Sequence, residues 1–173
     1  MASGDMVAVV LGVMPPATSS ATPDVRAGAA TPNERVNVWD FDDASDEYLD
    51  FLCQRKGSGA IGLTVRFKSS ATTATSGAAL TGAAIRRFAD DAEDLDSTAH
   101  SYDFNYQSVT APSASGEVTY DSIAFTDGAD MDSLADGELF ILRFTRDGNG
   151  TNGTDDMSGD FELWADSIVI EET

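Results

Sequence analysis

Residues 138–172 read as a strand, a polar loop and a second strand, and this pattern constrains the fold more than any other stretch of the chain. Glu138 to Arg146 and Phe161 to Ile170 carry Phe, Ile, Leu, Val and Trp, while Gly148, Gly150, Gly153 and Gly159 stand among Asn, Asp and Thr between them. Gly and Asn tolerate the positive φ that a tight connection demands, so the segment reads as a hairpin of an antiparallel sheet.

The same grammar recurs upstream. In Ile61 to Lys68, Ile61, Leu63, Val65 and Phe67 face one way and Gly62, Thr64, Arg66 and Lys68 the other. This is the period-two pattern of a half-buried strand. Val36–Phe41, Ala83–Phe88 and Glu117–Phe125 also read as strands, and Ser101–Gln107 alternates with Tyr102, Phe104 and Tyr106 on one face. Between Ser45 and Gly57-Ser58-Gly59 the spacing predicts a short helix. Ser45 is placed to cap it, Asp46 and Glu47 fall in its first turn, and Tyr48, Leu49, Phe51 and Leu52 form its apolar face. No strand–helix–strand alternation appears. The expected fold is all-β: an antiparallel β-sandwich, jelly-roll-like, with about eight strands and one short helix.

Residues 1–35 differ from the remainder. Met6 to Met14 is an apolar nonamer, and Pro15 to Asn33 is rich in Ala, Thr, Ser and Pro without a hydrophobic period. The expected organisation is an N-terminal strand and arm over 1–35 and a sandwich domain over 36–173. A segment that cannot bury its own apolar surface must lie along something else. Val7, Val9, Leu11 and Val13 are the expected attachment strand, added to a sheet edge of a neighbouring subunit. No Lys or Arg precedes the nonamer and Pro15-Pro16 follows it, which makes it a poor export signal.

The formal net charge is −20, from 30 acidic against 10 basic residues. Such a surface repels nucleic acid and anionic membrane, and it suits high salt, where self-repulsion is screened. Cys53 is the single cysteine, so no intrachain disulfide forms, and its apolar surroundings predict a small buried hydrophobe.

Constellations that carry chemistry are scarce. His100 is the lone histidine, no Gly-x-Ser-x-Gly accompanies it, and it reads as a partly exposed structural residue. The loop 147–156 sets Asp147, Asn149, Thr151 and Asp155 at intervals that suit calcium, but Asn152 stands where a calcium loop wants Gly and Ser158 where it wants Glu. A turn without a cofactor is the expectation there. Asn149-Gly-Thr151 and Asn152-Gly-Thr154 are glycosylation sequons only in an exported protein. Carboxylates are so abundant that no pair marks a hydrolase, and no catalytic residue is assigned.

Val38-Trp39-Asp40-Phe41, an acidic helical turn ending in Phe51-Leu52, Gly-Ala-Ile-Gly-Leu-Thr-Val-Arg-Phe at 59–67, and the runs Asp136 to Gly148 and Asp155 to Leu163 together resemble small β-sandwich virion proteins of tailed viruses. The resemblance implies a non-enzymatic particle component, a capsid decoration or cement protein or a spike. It further implies a homotrimer docked on the major capsid protein or on tail or portal proteins, assembled in the host cytoplasm. The second reading is a carbohydrate- or receptor-binding sandwich module of a tail fibre. Trp39, Tyr102, Tyr106 and Trp164 are its candidate sugar contacts, and a linear stripe of exposed aromatics is the feature that favours it.

Overall fold

The computed structural model describes residues 4–57, 62–97 and 99–173. Among them are eleven strands: β1 (Met6–Met14), β2 (Thr22–Ala27), β3 (Arg35–Phe41), β4 (Asp46–Arg55), β5 (Gly62–Ala71), β6 (Ala78–Phe88), β7 (Asn105–Thr110), β8 (Thr119–Thr126), β9 (Leu139–Asp147), β10 (Phe161–Leu163) and β11 (Val169–Glu172). Every strand pairing is antiparallel. The only helical elements among the described residues are 3-10 turns at Ala129–Met131 and Ala165–Ser167.

The strands form two layers. The first runs β2-β3-β10-β5, with β11 following β10 along the same edge of β5 and β8 on its opposite edge. The second runs β1-β4-β9-β6-β7. A short ladder between β1 and β11, Met6 opposite Glu171 and Ala8 opposite Ile170, sews the layers into one curled sheet. This is the antiparallel jelly-roll-like sandwich expected from the sequence, closed at one corner by hydrogen bonds.

Aromatic rings fill the space between the layers. Phe144 of β9 meets Phe67 of β5 at 5.0 Å and Phe41 of β3 at 5.7 Å, both edge-on, and Phe161 of β10 lies 6.2 Å from both Phe41 and Phe144. Such rings bury large areas and favour offset or edge geometry. Leu49, Phe51, Leu63, Val65, Phe125, Phe140 and Leu142 complete the layer between the sheets.

The helix expected after Ser45 is strand β4. Leu49, Phe51, Cys53 and Arg55 point inward at 0–3% exposure, and Tyr48, Asp50, Leu52 and Gln54 point outward. Tyr48, Leu49, Phe51 and Leu52 fit a helical stripe as well as a strand, and local sequence does not decide between them. Pairing decides: β4 has β9 along one edge and β1 along the other, so its backbone groups are satisfied across the sheet. The proposed end of that helix, Ser58-Gly59, lies outside the described residues, as does Ile61.

The strand expected over Phe161–Ile170 is interrupted. At the 3-10 turn the chain steps off β5, with Trp164 N–H donating to Lys68 O at 3.0 Å and Lys68 N–H to Ser167 Oγ at 2.9 Å, and then rejoins the same strand as β11.

The stretch 1–35, expected as an arm apart from the body, contributes β1 and β2 to the two layers. The polar segment between them is tied down as well. Tyr48 N–H donates to Ser19 O and Ala21 N–H to Tyr48 O, while Arg26 reaches Glu162 through two 2.7 Å bonds. Lacking a hydrophobic period, the segment is held by these backbone bonds and by the burial of Ala21, and β2 after it by the Arg26–Glu162 pair.

Candidate functional site

The outward face of the second layer is the candidate site, and strand register builds it row by row. Tyr48, Thr145, Gly82 and Tyr106 stand side by side across β4, β9, β6 and β7. The next row is Met14, Asp50, Arg143 and Ala84, and the next Gly12, Leu52, Ile141 and Arg86. Small residues sit where rings must lie flat. A Cβ on Gly82 would stand 2.8 Å from Cε1 of Tyr106 and 3.0 Å from Cγ2 of Thr145, so glycine makes room for that ring.

Residues 99–104 enter β7 without a ladder partner of their own, yet they continue its alternation. His100, Tyr102, Phe104 and Tyr106 therefore form one line. Their ring centroids are 4.8, 6.1 and 5.9 Å apart in succession, and Tyr48 joins Phe104 from the sheet at 6.1 Å. The Tyr102–Phe104, Phe104–Tyr106 and Tyr48–Phe104 pairs are tilted by only 34–35°. All five rings are half-buried. The alternation read over Ser101–Gln107 is thus a real shared face, although the strand itself begins only at Asn105.

A charged pair supports this stripe. Asp50 accepts two 2.7 Å bonds from Nε and Nη2 of Arg143, a bidentate geometry that fixes the guanidinium plane. The guanidinium carbon lies 4.1 Å from the Tyr102 ring centre and 5.5 Å from that of Tyr48, which places cation–π attraction under both rings. The hydrogen bonds to Asp50 push the Arg143 pKa up further. Burial raises the phenols of Tyr48 and Tyr102, and burial followed by the charge of Asp147 pushes Tyr106 up to about 12. These phenols keep their protons at neutral pH and present O–H groups that donate and accept. The face thus offers ring surfaces edged by hydroxyls, a carboxylate and a guanidinium.

The four aromatic residues proposed from sequence divide between the layers. Tyr102 and Tyr106 are on the stripe. Trp39 is on β3, packed partly against the core beside a depression of about 430 Å³ shared with Val13, and Trp164 donates its indole N–H to Ser70 Oγ at 2.9 Å. Sequence reasoning missed Tyr48, because it sat on the wrong element. It also missed the Asp50–Arg143 pair, whose members are 93 residues apart.

Of the expected attachment residues, Val7 is fully buried in the core, and Val9, Leu11 and Val13 are 39–53% exposed. β1 pairs with β4 from Ala8 to Met14, while its ladder with β11 stops at Ala8.

In the loop 147–156 the oxygens that sequence offers to calcium are engaged by the protein's own donors. The Asp147 carboxylate accepts from Thr151 N–H, Thr151 Oγ and Asn152 N–H, and Asp155 accepts from Arg146 and from Leu80 N–H. On the first layer, Asp24, Asp40 and Glu162 bring carboxylate oxygens within 4.8 Å of one another, and Arg26 already neutralises Glu162. Burial, then the charges of Glu162, Asp24 and Asp160, pushes Asp40 up to about 7, and its Oδ1 is buried without a hydrogen-bond partner. Cys53 is fully buried, as expected, and burial pushes its thiol up to about 12.

No protein-family model matches the sequence, and no curated protein matches it. Solved structures do. The CBM22-1 xylan-binding domain of Paenibacillus barcinonensis Xyn10C superposes with a TM-score of 0.51 at 10% identity, over 99% of this chain and 96% of that domain. A family 11 carbohydrate-binding module from Clostridium thermocellum, solved with a mixed-linked tetrasaccharide, gives 0.45 at 12% identity over 99% and 96%. The enzymatically active domain of tailspike protein 4 from bacteriophage CBA120 gives 0.35 at 12%, over 94% of this chain and 19% of that one. The first likeness supports the β-sandwich fold. The other two scores are too low to carry an argument.

Proposed function

We propose that this chain is a non-catalytic carbohydrate-binding module that holds a glycan along the outer face of β4, β9, β6 and β7. The aromatic stripe carries this reading. Partly exposed rings in line, edged by phenol hydroxyls and by the Asp50–Arg143 pair, match a pyranose chain, which has apolar C–H faces and a rim of hydroxyls. The fold shared with a xylan-binding domain adds support at the level of scaffold alone.

The particle-component expectation has less behind it. It rests on a sequence resemblance, and its docking strand is here paired within the sheet. Binding to a panel of soluble polysaccharides, followed by calorimetry and affinity electrophoresis, tests the sugar reading. Tyr48→Ala, Phe104→Ala and Tyr106→Ala are each expected to weaken the best ligand by about tenfold while leaving the circular dichroism spectrum intact, since a ring contact is worth roughly 1 kcal/mol or somewhat more. Unchanged affinity in all three variants, or no binding to any polymer, would sink it.

A further inference from the structure

The outer face does not end at the stripe. Beyond Asp50 it opens into a groove of about 520 Å³, with Leu52 and Ile141 as its floor, Met14 on one wall, and Phe88 and Leu95 on the other. Register ties the groove to the stripe. Leu52 follows Asp50 on the outward face of β4, and Ile141 lies opposite Leu52 on β9. A Cβ on Gly12, opposite Leu52, would meet nothing within 4 Å, so the groove is open there.

The chemistry of this groove is lopsided. Asp50 is the single charged side chain lining it, and Arg143 holds both its oxygens. Met14, Leu52 and Leu95 are 71, 41 and 63% exposed, a concentration of apolar surface on a chain whose net charge is −20. The volume falls in the range of small-ligand sites, about 300–1,000 Å³. A second copy of so acidic a chain is repelled at ordinary salt.

A bare sugar ring seated here would bring hydroxyls to walls that are almost wholly apolar away from Asp50, and desolvating unpaired hydroxyls is costly. A methyl or acyl substituent has no such cost and gains from burial. A uronate is disfavoured twice, by the apolar floor and by the acidic surface. Resting on the sugar-platform reading of the stripe, we propose that the glycan bound there is uncharged and O-acylated, with its acyl groups seated between Leu52, Ile141 and Leu95.

The test uses the full chain with O-acetylated xylan and O-acetylated glucomannan, each compared by calorimetry with the same batch after mild alkaline deacetylation. At least one acetylated polymer is expected to bind about tenfold more tightly than its deacetylated form. That ratio is expected to fall toward one in Leu52→Asn and in Leu95→Ser. Leu95 lies on an exposed loop, so its replacement remains informative if Leu52→Asn misfolds. Equal or tighter binding of the deacetylated polymers overturns the acyl assignment and leaves the stripe reading standing. Failure of every polymer to bind overturns both. A dimer that Leu52→Asn dissociates, seen by light scattering, gives the groove to a second copy and also overturns the assignment.

Discussion

Replacing Arg146 by Met should remove about 4–6 kcal/mol of stability. Arg146 is fully buried, its guanidinium enclosed between β9 and the return segment 155–160. Nε and Nη2 donate to Asp155 at 2.9 and 2.8 Å, Nη1 donates to Phe41 O at 3.1 Å and Gly159 O at 2.7 Å, and Nη2 also reaches Met157 O. Methionine keeps much of the stem's packing and removes every donor. The carboxylate of Asp155 is then left 2% exposed with only Leu80 N–H at 2.9 Å to hold it, and breaking a buried pair in this way costs about 3–5 kcal/mol. The carbonyls left without a donor add roughly 1 kcal/mol or more in total. Against a usual domain stability of about 5–15 kcal/mol this is near collapse. Urea unfolding followed by tryptophan fluorescence reads the loss as a shifted midpoint at constant slope. A double variant, Arg146→Met with Asp155→Leu, should recover about half of it, because no buried charge is left unpaired. A single-variant loss under about 1 kcal/mol would refute the view that this guanidinium organises the return segment.

Other outcomes follow from the same geometry. Asp40→Asn should stabilise the fold at pH 8 and have little effect near pH 4. The Asp40 pKa in the fold is raised to about 7, so its contribution is fullest at low pH and is lost as pH climbs from about 4 to 7; thermal midpoints at the two pH values check the sign. Gly82→Val should displace the Tyr106 ring and lower glycan affinity more than it lowers the melting temperature, as parallel calorimetry and thermal melts would show. Cys53 should resist thiol reagents in the native state and react at the rate of unfolding, because burial pushes its pKa to about 12. Raising NaCl from about 0.05 to 1 M should increase the melting temperature by screening the net charge of −20.

Much of the architecture is legible in the residues. Wherever one face of a strand is buried and the other wet, as at 62–68 or 102–106, period two is visible and the strand or its face appears in the structure. β4 defeats that reading, because it has apolar residues on both faces: Leu49, Phe51 and Cys53 inward, Tyr48 and Leu52 outward. Its outward residues line the stripe and the groove, and the candidate site therefore coincides with the strand whose pattern is blurred. The interruption between β10 and β11 is masked by the apolar residues on both sides of it, Phe161 to Trp164 and Ile168 to Ile170, although Asp166-Ser167 is itself a turn signal. The tie between Asp50 and Arg143 was invisible for another reason: nothing local joins positions 93 residues apart. β1 looked free because an apolar nonamer needs a partner, and sequence does not say whether that partner lies in the same chain.

The seam between β1 and β11 also sets how the molecule meets mechanical load. Gly4 N–H donates to Glu172 O and Glu172 N–H to Asp5 O, both at 2.9 Å, so the two ends of the described chain leave the sandwich side by side. Tension drawn between those ends would open the ladder like a zipper, one hydrogen bond after another, instead of shearing many at once. The two sheets would then begin to part at the corner where β1 and β11 join them. A sandwich attached through both ends to one anchor would feel almost none of that force, whereas one pulled from opposite ends would meet its weakest direction first.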